Sequence, residues 1–350
     1  VGERFHFLIK NEPIVFSVPI FSLFSRDLIN VPMMNFSTPV ELPKGLPPIT
    51  HAQRLLLMGS CFAENIGRQL KENSFHCDVN PFGILYNPFS VLEALQEILS
   101  GKQYTASDLF FFRDCWHSPM HHGAFSAVSV EEALQQINDR LRQAHDRMSR
   151  TDWLLLTWGT TFVYQQRETG RIVSNCHKQP EKLFTRRMLT VDEIVDEYTR
   201  FLKELRNQNS TLKVLFTVSP IRHIRDGMHA NQLSKATLLL AIEQLQSFFP
   251  TTVFYFPSYE IMLDELRDYR FYADDMLHPS PLAVNYLWER FSDVFFSDET
   301  KKIMDECESI RKALAHRPFH PDSEEHKRFL GQIVLKIERL NRKYPYLEFE

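Results

Sequence analysis

Five short apolar runs punctuate the chain: Arg54–Met58, Phe75–Val79, Trp153–Thr157, Lys213–Val218 and Thr252–Phe256. The first, third, fourth and fifth are almost continuously hydrophobic, the pattern of parallel strands covered on both faces. Between them the period lengthens. Leu134, Ile137, Leu141, Ala144 and Met148 recur at three- and four-residue steps after a Ser129…Glu132 capping box, and Val191, Ile194, Tyr198, Phe201 and Leu205 do the same after Thr190…Glu193. Further helices are expected over Leu233–Phe249 and Leu282–Phe296. Strands alternating with helices predict a three-layer α/β/α sandwich around a five-stranded parallel sheet. The stretch FFFRDCWHSPMHHGAF (110–125) breaks this rhythm and reads as a long loop, which in a compact domain is usually functional. Beyond residue 299 the chain turns helical and charged, with an amphipathic pattern over Ser323–Lys343 that predicts a helical tail packed on the sandwich.

Composition narrows the classes. The chain has 350 residues, 43% of them hydrophobic, enough for a sizeable core and too apolar for a disordered or collagen-like chain. Forty basic against 44 acidic residues leave a net charge of −4, with no basic stripe, so nucleic acid is not an expected partner. The cysteines (Cys61, Cys77, Cys115, Cys176 and Cys307) are odd in number and form no CxxC pair, which argues against a disulfide framework or a zinc ribbon and for a reducing cytosol. The most apolar stretch, Ile14–Phe24, is far shorter than the about 20 residues of a membrane span. Acidic residues precede it and no A-x-A-like site follows. Met33-Met34-Asn35 reads as a natural start, making residues 1–33 an upstream extension or a disordered N-terminus, 34–298 the sandwich and 299–350 its tail. A cytoplasmic location is expected on this reading, with no membrane partner and no cofactor. The oligomeric state is not legible.

Candidate chemistry begins where the first strand ends, in LLLMGSCFAENIGRQL (55–70). Gly59 permits a sharp turn, so Ser60 and Cys61 project above the carboxyl edge of the sheet, where open parallel sheets bind ligands. A side chain at the opening of the next helix meets free N–H groups and the positive dipole end, which lower a thiol's pKa and stabilise an oxyanion. A tight turn with a structural cysteine would look the same. Late in the chain stands DDMLHPS (274–280), in which Asp275 can fix the tautomer of His278 and leave its other nitrogen facing a nucleophile. A helix-capping aspartate beside an incidental histidine would give the same spacing.

Taken together these segments resemble the GSCFA family, a group related to the SGNH (GDSL-type) hydrolases. The pentapeptide Gly59-Ser60-Cys61-Phe62-Ala63 is intact. NPFGILYNP (80–88), HSPMHH (117–122), LTWGTTFVY (156–164), SNCHK (174–178), SPIRHIRDG (219–227), NQLSKA (231–236) and FYADDMLHPS (271–280) follow in order. The resemblance implies a flavodoxin-like sandwich and hydrolase chemistry. An SGNH enzyme has Gly-Asp-Ser at the first strand exit; in that register Cys61 takes the nucleophile position and Ser60 that of the aspartate. The oxyanion glycine of the second block matches Gly83 in Asn80-Pro-Phe-Gly83. The third block, Gly-x-Asn-Asp, becomes Gly159-Thr160-Thr161-Phe162, so the oxyanion asparagine is missing, with Asn175 or Thr161 as substitutes. The last block matches at Asp275 and His278.

Further residues carry candidate chemistry. His117, His121 and His122 offer an H-x-x-x-H spacing, but Pro119 disfavours the helix that metal ligation would need, so they are expected on a flap that contacts substrate. Arg222, His223 and Arg225 leave the fourth strand at the carboxyl edge and suit a carboxylate-bearing group, or else pair with local acids such as Asp226. Lys235 faces the same cleft or is solvated. Cys176 beside His177 forms a poorer thiol–imidazole candidate without an acidic orienter. Cys77 is expected in the core, and Cys307 in the tail without chemistry.

The function expected from these residues is cleavage of an ester or other acyl group through an acyl-thioester on Cys61 (Ser60 as the alternative), with His278 as base and acid. An acyltransferase with the same dyad, or a sandwich that binds a carbohydrate or acyl ligand without turnover, are the competing readings.

Overall fold

The structure is a computed structural model that describes residues 37–316 and 323–347, together with two short strands, His6–Ile9 and Glu12–Val15, which pair antiparallel. The expected start at Met33-Met34-Asn35 lies outside the described residues. Among the described residues no helix is long and apolar enough to cross a membrane.

Five parallel strands form the central sheet: β1 (Arg54–Gly59), β2 (His76–Val79), β3 (Trp153–Trp158), β4 (Lys213–Val218) and β5 (Val253–Tyr255). Their order is β2-β1-β3-β4-β5. This is the flavodoxin-like order, with its switch point between β1 and β3, whose registers set Gly59 opposite Thr157. The strands read as continuous apolar runs because both faces are covered. Leu56, Met58, Leu154, Leu156, Trp158, Val214 and Phe216 point into one core; Leu55, Leu57, Trp153, Leu155 and Leu215 alternate into the other.

The first core is closed by α2 (Pro88–Ser100), α3 (Val130–Met148), α4 (Val191–Gln208) and α5 (Met228–Phe248); the second by α1 (Cys61–Glu72) and α6 (Pro281–Phe295). The expected caps explain several starts. Ser129 accepts from the Glu132 N–H, and Thr190 and Glu193 complete a reciprocal box. In the C-terminal part, α7 (Asp298–Leu314) and α8 (Glu324–Lys343, capped by Ser323) bury Ile303, Cys307, Ile310, Ile333 and Leu340 against each other.

Two parts of the sandwich differ from the sequence pattern. The stretch 110–125 is no open loop: Phe110–Phe112 and Cys115–His117 form an antiparallel hairpin, and Gly123–Phe125 a short helical turn. A second, three-stranded antiparallel sheet joins Phe162–Gln166 to Ile172–Val173 and Phe184–Met188. Neither shows in a periodicity reading, because strands this short carry too few alternations to register.

Candidate functional site

Because the strands are parallel, each following helix opens at the carboxyl edge. α1 and α6 lie on the same face, joined by a Gln69–Asn285 hydrogen bond of 3.1 Å; Cys61 opens α1, and the Asp275–His278 segment immediately precedes α6.

The β1 exit is built around a glycine. Gly59 has φ +135°, and a side-chain carbon there would run into the Thr157 carbonyl oxygen. The turn is stitched to its neighbours: the Ser60 N–H donates to Thr157 O (3.2 Å), the Gly59 N–H to Asn80 Oδ1 (2.9 Å), and the Leu85 N–H to Gly59 O (3.0 Å). Ser60 is fully buried as the N-cap of α1, its Oγ accepting from the Phe62 N–H at 3.3 Å. Cys61 is the first helical residue and half-buried. Burial pushes its thiol pKa up and Glu64 adds to that, while its own N–H, the Phe62 N–H and the Lys235 ammonium pull it down.

Behind this edge lies a polar stripe on α5. Asn231, Ser234 and Lys235, spaced so as to share one helix face, are all buried. The Lys235 Nζ donates to Gly159 O and Ser219 O, both at 2.7 Å, and so ties the β3 exit to the β4 exit. Burial, then Arg222, hold its pKa down to about 7 against an upward pull from Cys61. Ser234 Oγ accepts from the Thr161 N–H (2.8 Å) and shares hydrogen bonds with the Thr160 and Thr161 hydroxyls. Asn231 Oδ1 accepts from the His223 N–H at 2.9 Å. The Tyr86 carbonyl accepts from both the Gly159 and Thr160 N–H groups, at 2.7 and 3.0 Å. Its ring meets His223 edge-on at 5.6 Å, and the Cys61 thiol helps burial keep its phenol protonated.

On the hairpin-like segment after β5, closed by Ser280 N–H to Phe271 O and Ala273 N–H to His278 O, His278 Nδ1 meets Asp275 Oδ2 at 2.5 Å. Asp275 also accepts from the His278 and Leu277 N–H groups, each at 2.9 Å, and these hold its carboxyl down to about 2. Both side chains are exposed, at 49% and 45%, leaving Nε2 of His278 accessible.

Other predicted residues are placed differently. The Gly83 N–H is engaged by the Asn80 carbonyl at 2.8 Å and is therefore not an open oxyanion donor. Thr161 is fully buried and turned towards Ser234. Asn175 Oδ1 accepts from the His177 N–H, and the His177 ring donates to Ser118 O (2.8 Å), with burial holding its pKa down to about 4. The expected histidine flap is folded into the domain. His121 is buried, stacks on Phe82 at 4.3 Å and meets Ser118 Oγ at 2.8 Å; burial first, then Lys102 and His177, lowers its pKa to about 3. His117 donates from Nε2 to Phe112 O (2.9 Å) and meets Ser126 Oγ through Nδ1 (2.6 Å), and the exposed His122 caps the short turn that follows. Among the described residues no group of three His, Cys, Asp or Glu side chains is arranged to hold a metal ion.

Asn231 and Tyr86 are the residues that sequence reasoning left out of the site, and Lys235, of its two expected places, is buried rather than solvated. NQLSKA offered a signal for Asn231: three polar residues on one face of an otherwise apolar helix, a pattern that burial must satisfy with partners.

The GSCFA family model matches residues 54–291, more than half the chain, and the model described as GSCFA domain protein, C-terminal domain, matches residues 307–350. The chain belongs to the GSCFA family. No curated protein matches this GSCFA chain. Among solved structures it is similar to a carbohydrate esterase family 3 protein from Talaromyces cellulolyticus, at 12% identity and TM-score 0.34, over 72% of this chain and 99% of that one. It is also similar to an acetyl xylan esterase from the rumen bacterium Butyrivibrio proteoclasticus, at 12% identity and TM-score 0.37, over 70% of this chain and 64% of that one. The fold assignment of the GSCFA chain rests on its own strand order, and its membership on the sequence match.

Proposed function

We propose that this protein is an acyl hydrolase that cleaves an ester through a thioester on Cys61. One observation carries the reading: a half-buried thiol stands at the opening of α1 on the sheet's switch point, while the neighbouring Ser60 hydroxyl is buried as the helix cap. A capping hydroxyl already holds an N–H and has no open side, so Cys61 is the better nucleophile of the pair.

In this mechanism His278 takes the Cys61 proton as Sγ attacks the carbonyl carbon. The tetrahedral intermediate is held by the Cys61 N–H and the positive end of α1. Its collapse expels the alcohol, which leaves with the proton from His278. Water then attacks the thioester with His278 again as base; the acid is released and the thiol regains its proton. Asp275 fixes the imidazole through Nδ1 and leaves Nε2 for the proton. The shared opening of α1 and α6 at one edge supports the pairing of Cys61 with His278. The burial that raises the thiol pKa makes a base necessary rather than optional.

The test is hydrolysis of 4-nitrophenyl acetate by wild type, Cys61→Ala, Ser60→Ala and His278→Ala, with intact mass after brief mixing. The expected result is an acyl adduct of wild type that is absent from Cys61→Ala. Its rate falls ~10³-fold or more for Cys61→Ala and His278→Ala, as for loss of a nucleophile or its base. Ser60→Ala retains most activity with a cap loss of ~1 kcal/mol in stability. Activity that survives Cys61→Ala but not Ser60→Ala would reverse the assignment.

A further inference from the structure

The three basic residues that leave β4 are not equivalent in the folded chain. Arg225 is paired with Glu181 at 2.5 Å. Its neighbour Asp226 is held by Arg186, whose Nε donates at 2.7 Å. The His223 ring is half-buried and kept neutral chiefly by desolvation, its pKa lowered to about 3. Of the two arginines, only Arg222 has no carboxylate in an ion pair with it among the described residues. Among those residues its hydrogen bond is to a neutral oxygen, Gln232 Oε1, at 2.5 Å, and that oxygen also accepts from the Tyr259 hydroxyl.

The place of this unmatched charge matters. Arg222 lies three residues beyond Ser219, whose carbonyl is held by Lys235, so it sits at the same carboxyl edge. Its charge also acts on Tyr272, in the segment that carries Asp275 and His278 and pairs Tyr272 with Pro279. A guanidinium has five N–H donors in a planar fork that fits a carboxylate with two parallel bonds. Here one donor is engaged, and among the described residues no acid completes the fork. An arginine kept only for solubility would stand as well anywhere on the surface; this one stands at the carboxyl edge, and its field reaches the segment that carries the proposed proton-transfer pair.

We infer that the substrate of this site carries a carboxylate and that Arg222 is the residue that selects for it. The inference rests on the hydrolase reading and narrows it, from esters in general to those with a negative charge near the cleaved bond. The carboxylate belongs either to the acyl group or to the alcohol.

Two pairs of probes test this and tell the sources apart. The mono-4-nitrophenyl ester of succinate against 4-nitrophenyl acetate places the charge on the acyl side; 4-acetoxybenzoate against its methyl ester places it on the alcohol side. The expected result is a kcat/KM ratio of about tenfold or more in favour of the charged member of one pair, as one charge-assisted contact supplies. That ratio collapses towards one in Arg222→Gln and partly returns in Arg222→Lys, which keeps the charge without the fork. Independently of turnover, calorimetric titration of Cys61→Ala with monomethyl succinate and with 4-hydroxybenzoate should show binding of one of them that weakens about tenfold when Arg222→Gln is added. If no ester is cleaved but this Arg222-dependent binding is present, the hydrolase reading fails and the anion site stands. If neither charged probe is favoured in an Arg222-dependent way and neither acid binds, the inference is overturned, whatever the activity on neutral esters.

Discussion

The Lys235 ammonium donates at 2.7 Å to the carbonyl of Gly159 and at the same distance to that of Ser219, so one buried side chain of α5 closes the exits of two neighbouring strands. A lysine 1% exposed inside a sandwich is costly, and both of its recorded hydrogen bonds go to the backbone that frames the site. Replacing it with Met keeps the volume but leaves two buried carbonyls without donors. The expected loss is roughly 2–5 kcal/mol from two orphaned acceptors. The sign of the pH dependence follows from the lowered pKa, about 7 in the folded chain against 10.5 ordinarily. The unfolded chain holds the proton over that interval, so wild type gains stability as pH rises from 7 and Lys235→Met does not. Urea midpoints at pH 7 and pH 9 should show the gap between the two widening; a gap that narrows would contradict the burial argument.

Gly59→Ala should be among the most damaging single substitutions in the domain. The residue is held at φ +135° with the Thr157 carbonyl where a side-chain carbon would go. Strain of this kind, together with the clash, costs about 3 kcal/mol or more. The variant is expected to lose about 4 °C or more of Tm, or to accumulate as insoluble protein. A variant as stable as wild type would mean that the β1 exit is not built as described.

Acid should unfold the protein through its buried and half-buried histidines. His121 and His223 are lowered to about 3, and His51 and His177 to about 4, in each case chiefly by burial. The unfolded chain takes up these protons below its ordinary histidine pKa near 6.5 while the folded chain refuses them. Stability is therefore full above pH 6.5 and falls towards pH 4. Thermal melts between pH 7.5 and 4.5 should show a steady decline, and His121→Gln should flatten it. An unchanged slope in that variant would remove His121 from the account.

Asp275→Asn should lower kcat by ~10²–10⁴ while moving KM little, because the imidazole loses the carboxylate that fixes its tautomer. The wild-type carboxyl, held down to about 2 by the His278 and Leu277 N–H groups and then by the ring, is ionised at every usable pH. The acid limb of the pH–rate profile should thus report another group. A kcat within threefold of wild type would detach this pair from catalysis.

Much of this could be read from the linear chain. All five sheet strands fall within a residue or two of their apolar runs, and α3 and α4 open at the expected caps. The histidine cluster went the other way. HSPMHH reads as polar loop chemistry, yet His121 packs on Phe82 and Tyr104, both well before it in the chain, contacts that no local pattern announces. Gly83 followed the same rule: its place in the motif was clear, but the Asn80 carbonyl that occupies its N–H is visible only once the turn has closed.

What the chain determined by itself was layering, because hydrophobic period and helix caps are local: residues within one turn or one strand decide them. The long-range partners of charged side chains were decided by the tertiary structure. Arg222 and Arg225 stand three residues apart in one loop, but one is neutralised by Glu181 and the other left open, since the acids that reach them come from distant segments. Electrostatic pairing acts through space, so only folding decides which charge remains for a ligand.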